Sequence, residues 1–468
     1  MEATQLNRRW FVSAATFAAL SQWLPASEAQ ASSVQVFVTD AKRRHEAATA
    51  LAWQPASTRA ADATIRIDTA ERFQPMLGFG AAFTDASCFV LQGMSPAARQ
   101  ALMHDLFSPK AMNLSVGRCA VGASDYSRDL FNYDHVAGDT GMAHFSTAHD
   151  DAYILPTLRA ARAIQPDLFL LSSTWSPPGW MKVYGTMLGG FMSSHHLQDY
   201  ARYYVAFLES YAAKGVPIQA LTTGNEVEVG TTLGSMPATF WTAEMEADFI
   251  RDYLAPLLRE RNLGTQIWLL DHNYDLYKRV LWQLQDPQLR RAVQGVAWHG
   301  YLGTPDMMSK VAAQYPDLPM YWTEGGSDIT NTQYEWEWTR WGNTFTSALR
   351  NGCRCVIAWN LALDPNGQPN IGPFSCAGMV TIDGDKLRYG GQYWAMRHLS
   401  QHLRRGDVRV GSHSDSTDLS HLAFTRADGS GTICVLTNSG AERSIVVQQD
   451  SRELRLTLPE NSITTLVG

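Results

Sequence analysis

Between residues 76 and 363 one unit recurs eight times, a short apolar run leading into an amphipathic helix. The runs are MLGFGAAFTD (76–85), NLSVGRCAVGASD (113–125), LFLLSSTWSPPGW (168–180), IQALTTGNE (218–226), QIWLLDHN (266–273), GVAWHGY (295–301), MYWTEGG (320–326) and CVIAWNLAL (355–363). Helical patterns lie between them. In LQDYARYYVAFLESYAAKG, Tyr200, Tyr204, Phe207, Leu208 and Tyr211 share one face and Lys214-Gly215 ends the helix. DDAYILPTLRAARAI and ADFIRDYLAPLLRERNLG read as further helices. Eight strand-plus-helix units in about 300 residues predict an α/β fold, a closed (β/α)8 barrel of the TIM type. An open doubly wound sheet is the alternative, but no G-x-G-x-x-G follows any strand, which removes its commonest purpose.

The rhythm fails at both ends. From about Arg405 onward, alternating strands with turn pairs appear, as in AFTRADGSGTICVLTNSG, SIVVQQ, LRLTL and SITTLVG, the pattern of a β-sandwich. VQVFV and TIRID, before residue 70, are expected to join it and to bring the two ends of the mature chain together. The expected division is an N-terminal sandwich segment over 32–70, a barrel over 71–400 and a C-terminal sandwich segment over 401–468.

Residues 1–31 read as a twin-arginine export signal. Arg8 and Arg9 precede an apolar run from Val12 to Leu24, and SEAQA supplies a small-residue cleavage site after Ala31. The run is too short and too polar to span a bilayer, so the mature chain is expected to lack an integral membrane segment and to be exported, periplasmic or secreted. Net charge is −7 with acids and bases interspersed, which argues against a nucleic-acid partner. The six cysteines are scattered, without paired zinc spacing. Cys353 and Cys355, two apart on a strand, are expected to share a face, and a bridge from one of them to Cys376 stays open. His195-His196 has no third ligand at suitable spacing, and neither H-E-x-x-H nor G-x-S-x-G occurs.

In a barrel, the C-terminal ends of the strands converge on one mouth. Glu226 closes the fourth apolar run and Glu324 the seventh, so the two carboxylates are expected to face each other across that mouth. Such a pair suits glycoside hydrolysis, in which one acid protonates the leaving oxygen while the other attacks the anomeric carbon or activates water. A separation of about 5–5.5 Å goes with retention and about 6.5–9.5 Å with inversion. Fifteen tryptophans also offer flat faces that suit sugar rings as well as core packing.

GFGAAFTDAS, STWSPPGWMK, TGNE, VAWHGY, WTEGG, AWNLAL and GGQYWAMRHLS occur in that order across the mature chain. Together they resemble glycoside hydrolase family 30, in particular its glucosylceramidase-like branch. The resemblance implies a retaining (β/α)8 barrel flanked by a β-sandwich, free of cofactor and metal, acting on a β-linked glucoside or glucan. It implies Glu226 as acid/base, with a pKa raised by the neighbouring Glu324 charge, and Glu324 as nucleophile. Asn225 would bond the sugar 2-OH and Asp125 more distant hydroxyls. Trp175 and Trp359 would wall the glycone pocket, and His299 and Tyr301 would orient the carboxylates.

Some positions depart from the family pattern. Val227 stands where many members carry proline, and Glu228 follows it. Gly300 replaces the tryptophan of the animal lysosomal enzymes, and Gly325-Gly326 follows the second carboxylate. Trp336, Trp338 and Trp341 would either meet a leaving group or belong to a loop feeding the next helix. The first reading is a retaining β-glucosidase of the glucosylceramidase type. Its rivals are an endo-β-1,6-glucanase and, less favoured, a β-xylosidase or β-fucosidase. A non-catalytic sugar-binding protein is disfavoured because both carboxylates and Asn225 are present.

Overall fold

A computed structural model describes residues 33–230 and 233–468, so the export segment lies outside the described residues. The eight apolar runs form a closed barrel of parallel strands. In chain order these are β1 (Gly78–Phe83), β2 (Val116–Ala120), β3 (Phe169–Ser173), β4 (Ala220–Thr222), β5 (Gln266–Asn273), β6 (Gly295–His299), β7 (Met320–Glu324) and β8 (Cys353–Ala358). The circle closes where β8 pairs with β1, Cys355 opposite Gly78. Near-continuous apolar runs are what a parallel sheet buried on both faces requires.

Within the barrel, Val116, Leu171, Ala220, Trp268, Ala297, Tyr321, Cys355 and Ile357 form a core of their own. The Trp268 and Tyr321 rings stack there with centroids 3.7 Å apart. This layer plugs the barrel, so the space above it, toward the C-terminal ends of the strands, is a pocket rather than a channel.

Two irregularities redirect side chains. Against β7, Met320 pairs with Cys353 but Trp322 pairs with Val356, so β8 carries one extra residue. The bulge separates the two cysteines, with Cys353 in the outer core and Cys355 in the inner one. They do not share a face, and all six cysteines are free thiols. In β5 the pairing with β6 slips between Leu270 and His272. Leu270 and Asp271 both take positive φ, 78° and 51°. A β-bulge inverts the alternation beyond it: Trp268 points into the barrel, Leu269 and Leu270 point out, and Asp271 points in.

The helix over Leu197–Ala213 buries Tyr200, Tyr204, Phe207, Leu208 and Tyr211, and Gly215 follows at φ 80°. The ADFIRDYLAPLLRERNLG segment is not one regular helix. Ala243–Asp248 passes through a π turn, Phe249–Leu254, into Ala255–Glu260. Pro256 has no N–H to give an i−4 carbonyl, and the wider turn lies just before it.

The sandwich is one ten-stranded sheet that draws on both ends of the described residues. Ser33–Thr39 lies beside Ser462–Val467, Gln35 opposite Val467. Ala63–Pro75 sits between Val408–Ser414 and Arg443–Gln449. Val34, Val36 and Val38 alternate inward onto Ile65, Leu436 and Leu466. At the seam with the barrel, His398 from the helix Gly391–Ser400 bonds Thr39 and Thr465, each at 2.8 Å. Trp336 precedes the helix Trp338–Arg350, which carries Trp338 and Trp341 and packs at this seam. Arg44 covers Trp336 and Trp338, Trp338 Nε1 donates to the Asn461 carbonyl, and Trp341 Nε1 donates to Ser327 Oγ. None of the three lines the barrel mouth. Among the described residues no helix is long and apolar enough to cross a membrane.

Candidate active site

Above the stacked floor, the barrel holds a polar layer centred on Asp271. Its two carboxylate oxygens accept from Arg118 Nη2 (2.8 Å), Ser173 Oγ (2.6 Å), Thr222 Oγ1 (2.8 Å), Thr323 Oγ1 (2.7 Å) and His299 Nε2 (3.0 Å). A fully buried carboxylate stays ionised only with such partners. Burial pushes its pKa up, but the Arg118 charge and the His299 bond pull it far below the usual carboxylate range. Arg118, wholly buried, reaches upward to Glu324 Oε2 through Nη1 and to Asn225 Oδ1 through Nη2 at 2.5 Å. Its guanidinium lies 4.8 Å from the Trp175 ring centre and 5.5 Å from that of Trp359.

Glu324, at the end of β7, also accepts from Tyr301 Oη at 2.9 Å. The following turn is pinned by the Gly325 carbonyl, which accepts from Trp359 N and Gln392 Nε2. Glu226 sits just past β4 at φ 51°, an uncommon conformation for a residue with a side chain. Its N–H bonds the Asp271 carbonyl at 2.9 Å. Its Oε1 lies 3.3 Å from His299 Nδ1, while the other nitrogen of that ring is 3.9 Å from Glu324 Oε2. One imidazole thus touches both carboxylates.

Both acids open into a pocket of about 290 Å³. Trp175 and Trp359, stacked 5.1 Å apart, line it with Asp125, Asn225 and Tyr301. All eight side chains singled out from the sequence therefore meet here, His299 from behind the carboxylates. Asp125 is buried, and its Oδ1 has no hydrogen-bond partner among the described residues. Its pKa is pushed well up, by burial first and then by the charges of Glu324 and Glu226. The segment 370–376 closes over it: the N–H groups of Ile371 and Gly372 bond the Asp125 carbonyl, and Tyr126 Oη donates to the Phe374 carbonyl. Met236, Leu302 and Phe374 form an apolar rim. A larger hollow of about 530 Å³ in the sandwich is lined by Trp53, Arg72 and Arg452 and by no Asp or Glu side chain, so size alone does not mark the site.

One electrostatic expectation is overturned. Burial raises the Glu226 pKa, but the hydrogen bond and charge of His299, followed by His272 and Arg118, outweigh it and hold the carboxyl below its ordinary value. Burial disfavours a charged His299, yet Glu324, Asp271 and Glu226 together push its pKa up to about 9. The Glu324 charge expected to raise Glu226 is compensated by Arg118 and the imidazolium.

Arg118 and Asp271 were not singled out from the sequence, and neither were His272 and Asn273. Arg118 and Asp271 are charges in the interior of the apolar runs NLSVGRCAVGASD and QIWLLDHN, and a charge in a buried strand needs a partner. Asn273 Oδ1 takes the N–H groups of Tyr301 and Leu302 and so sets the tyrosine. Two departures share a cause: a Cβ on Gly300 or on Gly325 would lie 2.6 Å or 2.3 Å from the Trp322 indole. Glu228 turns away from the pocket to pair with Arg279 at 2.9 Å.

A barrel with two acids at its C-terminal mouth, in a pocket walled by tryptophans, defines an O-glycosyl hydrolase. The sequence assigns it more narrowly. Residues 76–403 match the glycosyl hydrolase family 30 TIM-barrel domain and 406–466 the family 30 beta sandwich domain. The chain belongs to glycosyl hydrolase family 30. It is 31% identical to an endo-1,6-beta-D-glucanase of Neurospora crassa over 88% of this chain and 89% of that protein. It is 27% identical to the lysosomal acid glucosylceramidase of Mus musculus over 84% of this chain and 81% of that protein. The solved endo-beta1,6-glucanase BT3312 superposes with a TM-score of 0.84 at 26% identity, covering 93% and 98% of the two chains.

Proposed function

We infer that the enzyme hydrolyses β-glucosides of primary alcohols by double displacement, with Glu324 as nucleophile and Glu226 as acid/base. The observation that carries this reading is the pairing of both carboxylates with a single imidazole at the edge of one pocket. Arg118 and Tyr301 hold Glu324 in place and aim it at the anomeric carbon. Asn225 spends its Oδ1 on Arg118, which leaves Nδ2 for the sugar 2-OH. The unpaired Oδ1 of Asp125 would take hydroxyls at the far end of the ring. The Nδ1 proton of His299, 3.3 Å from Glu226 Oε1, is the supply for the leaving oxygen once the sugar excludes water from the pair.

The leaving groups of a 1,6-linked glucan and of glucosylceramide are both primary alkoxides, poor enough to need that acid. The closed end beyond Asp125 favours a terminal glucose, hence exo action of the glucosidase type. The glucanase relatives favour a second reading, endo-β-1,6-glucanase action. Glucose as the sole early product from a β-1,6-glucan is the expected result, and early oligosaccharides would select the second reading. A glucosylceramide assayed in parallel tests the apolar rim. The twin-arginine segment supports action outside the cytoplasm.

Glu226→Gln is expected to lower kcat/KM on such natural linkages by roughly 10²–10⁴-fold and to spare 2,4-dinitrophenyl β-glucoside, whose leaving group needs little protonation. Equal losses on both would reject the acid/base role. Because the His299–Glu226 pair keeps its proton only below about pH 9, kcat/KM should fall as pH rises through that value. His299→Asn should remove this limb, and an unchanged profile in the variant would refute the assignment.

A further inference from the structure

We propose that Glu226, His272 and His299 form an inhibitory binding site for a borderline divalent cation such as Zn²⁺. The ligand atoms of these three side chains all lie within 4.8 Å of one another. Glu226 Oε1 is 3.3 Å from His299 Nδ1 and 3.7 Å from His272 Nδ1. A tetrahedral Zn²⁺ with bonds of about 2.0–2.2 Å holds its ligand atoms roughly 3.3–3.5 Å apart, so small side-chain rotations suffice.

A second observation points the same way. His272 is 7% exposed, yet its Nδ1 has no hydrogen-bond partner among the described residues. A buried ring nitrogen beside a carboxylate and without a bond is poorly satisfied as it stands, and a cation would satisfy it. His299 is already oriented as a ligand. Its Nε2 faces Asp271 Oδ1 at 3.0 Å, the carboxylate–histidine arrangement that fixes the tautomer and strengthens the opposite nitrogen as a donor. Two imidazoles and one carboxylate select Zn²⁺ or Cu²⁺ over Mg²⁺ or Ca²⁺, which prefer oxygen ligands throughout. The cation displaces the proton shared by Nδ1 and Oε1, and that proton leaves to solvent. Glu226 then has its Oε1 engaged and no proton to deliver. This is not a cofactor site, because occupancy removes the acid that hydrolysis requires.

The test is calorimetric titration of chelator-treated enzyme with ZnCl₂ at neutral pH, with MgCl₂ as comparison. Saturable one-to-one Zn²⁺ binding without Mg²⁺ binding is expected. His272→Gln should weaken it at least about 10-fold, the scale on which metal-site residues act. Glu226→Gln should do the same and serves if the first variant fails to fold. The double variant His195→Gln/His196→Gln, in the turn Ser194–His196, should bind as the parent does. No saturable binding, full affinity in both site variants, or loss of affinity in the double variant each overturns the site. Zn²⁺ should also inhibit hydrolysis of an alkyl β-glucoside in proportion to occupancy. This second half rests on Glu226 as acid/base. Binding without inhibition overturns it and counts against that role, whereas absent binding leaves the hydrolytic reading untouched.

Discussion

Glu324→Gln is expected to lower kcat on an aryl β-glucoside by at least about 10⁴-fold, the scale on which loss of a covalent nucleophile is felt. The amide keeps the shape of the side chain and its bond from Tyr301 but cannot attack the anomeric carbon. A good leaving group does not rescue this variant, since the missing step is formation of the glycosyl–enzyme bond. Glu324→Ala with added azide gives a sharper readout. Azide entering through the vacated space attacks from the face opposite the leaving group and yields an α-glucosyl azide. The same experiment on Glu226→Ala passes through the covalent intermediate and yields the β-azide. Exchanged anomers would exchange the two roles, and a loss under about tenfold in Glu324→Gln would remove the double displacement altogether.

Arg118→Met is expected to destabilise the fold by about 3–5 kcal/mol as well as inactivate it. Its guanidinium and the Asp271 carboxylate are wholly buried and 2.8 Å apart. Taking away the guanidinium leaves Asp271 with hydroxyls and the His299 imidazolium, a charge that Glu226 and Glu324 also share. Breaking a buried pair from one side costs far more than removing both members. The double variant Arg118→Met/Asp271→Asn should therefore melt at a higher temperature than Arg118→Met alone, while remaining inactive because Glu324 is no longer held. Calorimetric melting checks both statements. If Arg118→Met melts with the parent enzyme, Asp271 does not depend on Arg118 for its charge compensation.

The barrel was legible because each of its strands is buried on both faces and shows as an apolar run. The two acids were legible because they end such runs. The helix over Leu197–Ala213 was legible from one stripe of aromatic residues and a terminal glycine. The placement of the three tryptophans was not. Trp336, Trp338 and Trp341 resemble aglycone contacts along the chain, but Arg44 and Asn461, the partners of Trp336 and Trp338, lie far away in sequence and belong to the sandwich, while Trp341 turns to Ser327.

The order of residues alone thus established eight strand–helix units, a sandwich drawing on both ends of the chain, and which side chains could gather at the mouth. Alternation and helical spacing are local, and burial imposes them wherever they fall. Folding in three dimensions settled which way Asp271 and Cys353 point, because a bulge arises from register between strands and leaves no mark on either strand by itself. It also decided the direction in which the Glu226 pKa moves. A pKa follows from the summed field of neighbours that come together only when the barrel closes, and here His299 and Arg118 prevail over burial.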